Sequence, residues 1–280
     1  MNNSCFLIPT HIPKYNYAVH ALKTYNKIFN DDHIFFVFSS EEERYIFSEL
    51  VKDIPFRYFI YDHTVFSRGI ITAKKFFGLQ KIFETTDFDK VGVIDSEVEF
   101  YRYVDYDKLF TEYLNNKTVH ANGLDINSRR AECVTHSYTF FNQQDTLKIK
   151  QTLQNDSVLF FFNNIPLYCR EHFNQFLDYI DYNNNKHKLS YHTFDYIMYV
   201  YYLIVKDLVN IEILKYKDQP FFCDMGFLEK QNRSMENDKD MFLDVFNSYN
   251  PMWSELPIEN AKNAFILMGL DRTKFRDRVV

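Results

Sequence analysis

The chain has 280 residues, 46% of them apolar and 25% charged, with 30 Phe, 21 Tyr and a single Trp. That composition excludes disorder, collagen and low complexity as the main organisation, and a chain of this length can bury a large core. The formal net charge of −6, with no dense basic run, argues against nucleic acid as a partner but leaves a local anion-binding cleft open.

The first hundred residues alternate between strand and helix patterns. Residues 5–9 are a short apolar run stopped by Pro9. Residues 17–29 carry apolar side chains at helical spacing. Residues 34–38 are continuously apolar, the pattern of a strand covered on both faces. Ser39-Ser40 before Glu41, Glu42 and Glu43 reads as a helix start, with acids in the first turn, and that helix runs to about Lys52. A third strand is predicted over 56–61, a third helix over 72–84 with an aromatic stripe, and a fourth strand over 90–94. Such alternation predicts an α/β fold, with a mostly parallel sheet flanked by helices. In such sheets ligands bind beyond the carboxyl ends of the strands. Those ends are Pro9-Thr10-His11, Ser39-Ser40, Asp62-His63 and Asp95-Ser96-Glu97, each polar and each following an apolar run.

The second half is less regular and more helical. A helix is expected from about Tyr106, a short strand over 119–124 and a central strand over 158–162. Helices are expected over 166–182, over 193–205 with Thr193 as a plausible cap, and over 261–268. A short strand is expected over 211–214. Residues 231–240 read as a polar loop, 251–257 as irregular and 271–278 as a charged tail. No internal repeat is visible.

Six glycines stand far apart, so neither a dinucleotide fingerprint nor a phosphate-cradling P-loop exists here. The four cysteines show no C-x-x-C spacing and read as reduced thiols, which favours a cytoplasmic location. No secretory signal is visible, and no apolar run approaches the roughly 20 residues that span a bilayer. The longest, 196–205, reads as a core helix.

The segment Val91-Gly92-Val93-Ile94-Asp95-Ser96-Glu97-Val98-Glu99-Phe100 carries the chemistry. Strand alternation points Asp95 and Glu97 to the same side. Two carboxylates that close repel unless a cation lies between them, and hard oxygen ligands suit Mg²⁺ or Mn²⁺ completed by substrate phosphates. The alternative is an exposed turn with solvated acids. The same two acids would also serve a nucleotidyl- or phosphotransferase.

The sequence resembles the glycosyltransferases of GT-A fold, which move a sugar from a nucleotide-diphosphate donor. CFLIPTH resembles their opening strand and base-contacting loop. RGIITAKKFFGLQKIF resembles the helix before the metal motif. VGVIDSEVEF resembles the D-x-D motif with its flanks, except that Glu97 stands where the family has Asp. The likeness covers roughly residues 4–105 well and the rest loosely. It implies a single domain in two halves, 1–105 for the nucleotide sugar and 106–280 for the acceptor. It implies a metal, Mn²⁺ or Mg²⁺, on Asp95 and Glu97, and the departure at Glu97 leaves a metal-free reaction open. The donor would meet Pro9, Thr10, His11, Asp62, Arg68, Lys74, Asp95 and Ser96, with Lys75 a further cation nearby. The acceptor would be a glycan or lipid-linked sugar in surface polysaccharide or glycoconjugate synthesis, with peripheral membrane contact possible.

An inverting enzyme needs a base for the acceptor hydroxyl, and Asp195 at a predicted helix head is the first candidate, against a plain role as a dipole partner. Asp156 and Asp224 are weaker ones. Cys133-x-x-His136 and Cys169-x-x-His172 form matched pairs with zinc-ligand chemistry, although buried thiols and ordinary histidines are the commoner outcome. His11, His63 and His192 fall at predicted loop ends. The aromatic stripe 191–202 reads as core, with a sugar-stacking platform as the alternative. A non-catalytic binding module that has kept the fold is the third functional class.

Overall fold

The computed structural model describes residues 3–10, 15–29, 31–62, 69–96, 98–100, 103, 105–123, 128–154, 158–159, 166–213, 222–224 and 267–269. The strand–helix alternation of the first hundred residues is present throughout. Strand β1 (Ser4–Pro9) is followed by α1 (Tyr15–Ile28), β2 (Ile34–Phe38), α2 (Glu41–Val51), β3 (Arg57–Ile60), α3 (Ile70–Thr85) and β4 (Lys90–Val93). After the acid corner come β5 (Val98–Phe100), α4 (Tyr106–Asn115), β6 (Thr118–Gly123), α5 (Ser128–Tyr138), α6 (Gln143–Thr152) and β7 (Val158–Leu159). The remaining described elements are β8 (Leu167–Cys169), α7 (Arg170–Tyr179), α8 (Tyr182–Asn185), a short 3-10 helix (Lys186–Lys188), α9 (Asp195–Val205), β9 (Asn210–Ile213), β10 (Phe222–Asp224) and β11 (Leu267–Gly269).

The main sheet has the order β3-β2-β1-β4-β8. Its first four strands pair in parallel, and β8 closes the edge antiparallel to β4. The fold is therefore α/β, with a mostly parallel sheet between helical layers. Strand alternation explains the two cores. Phe6 and Ile8 of β1 join Phe36 and Phe38 of β2 on one face, under Leu22, Phe47 and Phe110 from α1, α2 and α4. Cys5 and Leu7 join Phe35 and Val37 on the other, under Phe76, Phe173 and Tyr199 from α3, α7 and α9. Burying a strand on both faces requires the uninterrupted apolar runs seen in the sequence.

Local signals account for the boundaries. Ser40 caps α2 by accepting from Glu43 N at 3.1 Å, and Glu43 reaches back to accept from Ser39 N at 2.6 Å. Asp105 caps α4 by accepting from Lys108 N. Helix α3 begins earlier than expected, after Gly69 in the left-handed region at φ 58°. A Cβ at Gly69 would fall 2.8 Å from Leu189 Cβ, so only glycine lets these segments meet.

The second half departs from expectation. The helix expected over 166–182 opens instead as β8, because Leu167 and Tyr168 pair with Gly92 and Val91 before the helix starts. Val158 and Leu159 lie at the edge of a separate sheet ordered β7-β6-β9, not in the centre of the main one. Leu267 and Met268, expected to be helical, form β11, which pairs with β5 and β10. Tertiary pairing outweighs local pattern at all three places. Helices α5 and α6 were not expected at all. The predicted loop over 231–240, the segment 251–257 and the tail 271–278 lie outside the described residues.

Candidate active site at the carboxyl ends of the strands

Thr10 ends β1 with both its backbone N–H and its hydroxyl donated to the Val37 carbonyl, at 3.0 and 2.8 Å. Its own carbonyl accepts from Lys74 Nζ at 2.5 Å. Pro9 and Thr10 are buried, and Asp62 beyond β3 is exposed. At the end of β4, Ile94 N donates to the Leu7 carbonyl at 3.0 Å, which sets Asp95 beside the end of β1. Ser96 is buried.

Helix α3 brings two adjacent lysines to this edge, and both are buried. Lys75 Nζ stands 3.2 Å from Asp95 Oδ1 and 3.2 Å from Asp195 Oδ1. The side chain of Asp95 is 54% exposed, whereas that of Asp195 is 3% exposed. The second oxygen of Asp195 accepts from the Tyr168 hydroxyl at 2.6 Å. A chain of contacts thus runs from buried Tyr168 on β8, through Asp195 at the head of α9 and Lys75 on α3, to exposed Asp95 after β4.

The electrostatics follow from burial and pairing. Burial works against the charge on Lys75, but the carboxylates of Asp195 and Asp95 overcome it and raise its pKa above the ordinary lysine value. Among the described residues, Lys74 has no such carboxylate pair. Burial pushes its pKa down to about 8, with Glu43 opposing only in part. Burial pushes the Tyr168 phenol well up, and the Asp195 charge adds to this, so the hydroxyl stays a proton donor.

Of the residues singled out in the sequence, the structure brings Asp95 and Asp195 together through Lys75, and sets Lys74 on Thr10. Pro9 and Ser96 lie at the same strand ends, on β1 and after β4. His11, His63, Arg68, Glu97 and Asp156 lie outside the described residues. The matched Cys/His pairs do not form a zinc cluster, since no group of three ligating side chains exists among the described residues. Cys5 and Cys133 are buried, and half-buried Cys169 has its Sγ 3.7 Å from the Tyr199 hydroxyl. Thr193 does not cap α9 with its side chain, which accepts from Ser190 N at 2.9 Å instead, and Phe194 is the residue before the helix.

Two partners were missed in the sequence. Tyr168 was assigned to a helix, and the bridging role of Lys75 was not seen. A signal for Lys75 existed. It falls on the inward stripe of α3 with Thr72, Leu79 and Ile82, and a lysine on a buried stripe calls for carboxylate partners.

No family model matches the chain, and no curated protein matches it in sequence. Among solved structures, it is similar to mouse xyloside xylosyltransferase 1 in its apo form, at 12% identity and TM-score 0.46, over 96% of this chain and 97% of that one. It is similar to the galactosyltransferase LgtC in complex with donor and acceptor sugar analogs, at 15% identity and TM-score 0.45, over 95% of this chain and 86% of that one. It is also similar to the apo-form glycosyltransferase GlyE of Streptococcus pneumoniae TIGR4, at 11% identity and TM-score 0.45, over 96% of this chain and 55% of that one. With TM-scores this low, the likenesses assign this chain neither a family nor an activity.

Proposed function

We propose that the chain is a glycosyltransferase, which moves a sugar from a nucleotide-sugar donor to a glycan or lipid-linked acceptor in surface polysaccharide or glycoconjugate synthesis. One observation carries the reading. Lys75 ties the carboxylate of the D-x-E corner to Asp195 at the carboxyl ends of parallel strands, where this fold class binds ligands. The nucleotide half would lie over Pro9 and Thr10, with His11, Asp62, Arg68, Lys74 and Ser96 around the donor.

The Asp95–Lys75–Asp195 bridge is itself net anionic before Glu97 is counted, with Lys74 the cation beside it on α3. A diphosphate needs positive charge there, and Asp95 offers an exposed hard oxygen donor. One or two carboxylates plus substrate phosphates suffice for Mg²⁺ or Mn²⁺, so exposed Asp95 would hold such an ion, with Glu97 as the second ligand that the sequence offers. The ion would supply charge neutralisation for the leaving diphosphate.

The chain's own residues do the rest. Lys75 fixes the direction of Asp95. Asp195 anchors Lys75, and Tyr168 holds Asp195. Both oxygens of Asp195 already carry donors, so it would take a proton from an acceptor hydroxyl only after Tyr168 or Lys75 let go. That arrangement favours an anchoring role for Asp195 over the open base of an inverting reaction. No described helix is long and apolar enough to cross a membrane. The reading sets the reaction in the cytoplasm, with peripheral contact at a membrane surface open to it.

The test is a thermal-shift screen against UDP-, GDP-, CMP- and dTDP-sugars, each with Mn²⁺, Mg²⁺ or EDTA. A ligand at a hundred times its dissociation constant adds about 2.7 kcal/mol. A shift with one nucleotide family that vanishes with EDTA is expected, and Asp95→Ala should abolish it. A shift that survives EDTA drops the metal and keeps the transferase. No shift with any sugar nucleotide overturns the reading in favour of a phosphotransferase or a binding module.

A further inference from the structure

The loop that leads into Asp195 is fastened over the start of α3. Thr72 Oγ1 donates to the Thr193 carbonyl at 2.5 Å, and Gly69 abuts Leu189 and Ser190. The loop therefore lies at the rim of the candidate site, within one helical turn of the Lys75 bridge. Yet it turns a large aromatic residue outward, since Tyr191 is 71% exposed. The Tyr191 ring meets His192 edge-on, with centroids 5.3 Å apart and planes at 90°. His192 in turn stacks on His136 of α5, at 5.5 Å and 28°.

Polar groups flank these rings. Glu132, one turn before His136, sets Oε2 3.2 Å from His192 Nδ1, and its side chain is 55% exposed. That contact is not aligned as a hydrogen bond. Ser190 Oγ lies 3.4 Å from His136 Nδ1 and 3.0 Å from Thr193 Oγ1. Stacked imidazoles do not converge their nitrogens on one ion, which agrees with the absence of a metal-binding group among the described residues.

A ligand for this surface needs an apolar face for Tyr191 and hydroxyl donors for Glu132. A phosphate would be repelled by Glu132, and a purely apolar ligand would leave the carboxylate and the hydroxyl without use. A pyranose ring meets both needs, with C–H groups on one face and hydroxyls around its rim. An aromatic ring already fixed by its neighbour loses little conformational freedom on binding.

We infer that Tyr191, with His192, His136, Glu132 and Ser190, forms a saccharide subsite that seats a pyranose of the acceptor beside the transfer site. Its description as an acceptor subsite rests on the transferase reading; its affinity for a neutral sugar does not. The site takes uncharged pyranosides, stacked on Tyr191 and hydrogen-bonded to Glu132.

Saturation-transfer NMR with methyl β-D-glucopyranoside, methyl β-D-galactopyranoside and methyl N-acetyl-β-D-glucosaminide at millimolar concentration tests this, each with and without UDP and Mn²⁺. At least one pyranoside should receive saturation from the wild-type chain. Tyr191→Ala should weaken its binding by about tenfold or more, and Glu132→Gln should weaken it as well. An unaltered melting temperature of ligand-free Tyr191→Ala checks the fold, since the ring is mostly exposed. No transfer to any pyranoside in either condition overturns the inference, as does transfer that persists in Tyr191→Ala. Pyranoside binding without any nucleotide-sugar shift keeps the saccharide subsite and removes the transferase; the reverse result removes the subsite alone.

Discussion

Tyr168 and Asp195 are joined by a 2.6 Å hydrogen bond between two buried side chains, one on a strand and one at a helix head. The bond occupies one carboxylate oxygen and leaves the other to Lys75. Tyr168→Phe would leave Asp195 Oδ2 buried without that donor, at a cost of about 1–3 kcal/mol. Urea unfolding of the variant should show a lowered midpoint with an unchanged slope. In a double-mutant cycle with Asp195→Asn, the two costs should not add, because they share one bond. Additive costs would show that Tyr168 stabilises the chain by other contacts.

Removing the ammonium at Lys75 should be more damaging. Lys75→Met leaves Asp195 as a buried charge without its cation, a change that costs about 3–5 kcal/mol in comparable buried pairs. The pH dependence has a definite sign. The folded pKa of Lys75 lies above its unfolded value near 10.5, so its contribution is complete below that pH. It declines only as the solution becomes more alkaline. The stability gap between wild type and Lys75→Met, read from urea midpoints, should be constant from pH 7 to 9 and narrow only beyond the unfolded value. A gap that narrows between pH 7 and 9 would contradict the bridge.

Lys74 should behave in the opposite sense. Burial lowers its folded pKa to about 8 from an unfolded value of 10.5. Between those two values the unfolded chain binds more protons than the folded one, so stability rises with pH. Wild type should therefore gain on Lys74→Met across this window, and the difference should be flat below about pH 7. Equal slopes for the two proteins throughout would show that Lys74 is not held in a dry environment.

Gly69 is predicted to be intolerant of any side chain. Alanine there would adopt a left-handed backbone, at about 1–2 kcal/mol, and would drive its Cβ to 2.8 Å from Leu189 Cβ and 3.0 Å from Ser190 N. Gly69→Ala should lower the melting temperature and loosen the loop that precedes Asp195, seen as faster amide exchange at residues 189–194. Gly78→Ala is a useful contrast. Its Cβ would meet Val37 Cγ2 at 2.7 Å and Leu7 Cδ1 at 2.9 Å, so it should destabilise through overpacking without affecting that loop.

Much of the fold was legible residue by residue. Continuous apolar runs at Ile34–Phe38 and at residues 5–8 of β1 belong to strands covered on both faces, and Ser40 with Glu43 wrote the start of α2 into the sequence. Asp95 and Asp195 were legible as carboxylates at an element end. Strand β8 was not legible, because Leu167-Tyr168-Cys169 is too short to show a period before the helical pattern of α7 begins. Helices α5 and α6 were hidden by sparse apolar residues; among the described side chains, the buried apolar ones on them are Cys133, Val134 and Ile149.

The sequence by itself determined which elements form in the first half and which chemical groups stand at their ends, because helix period, strand period and capping are properties of neighbouring residues. Only the tertiary structure decided that Lys75 meets Asp95 and Asp195, that Tyr168 reaches the same carboxylate, and that His136 stacks on His192. Those contacts join residues far apart in the chain. The Lys75 and Tyr168 contacts form because the parallel sheet and its covering helices bury Lys75, Tyr168 and Asp195 together, where a charge or donor without a partner is costly.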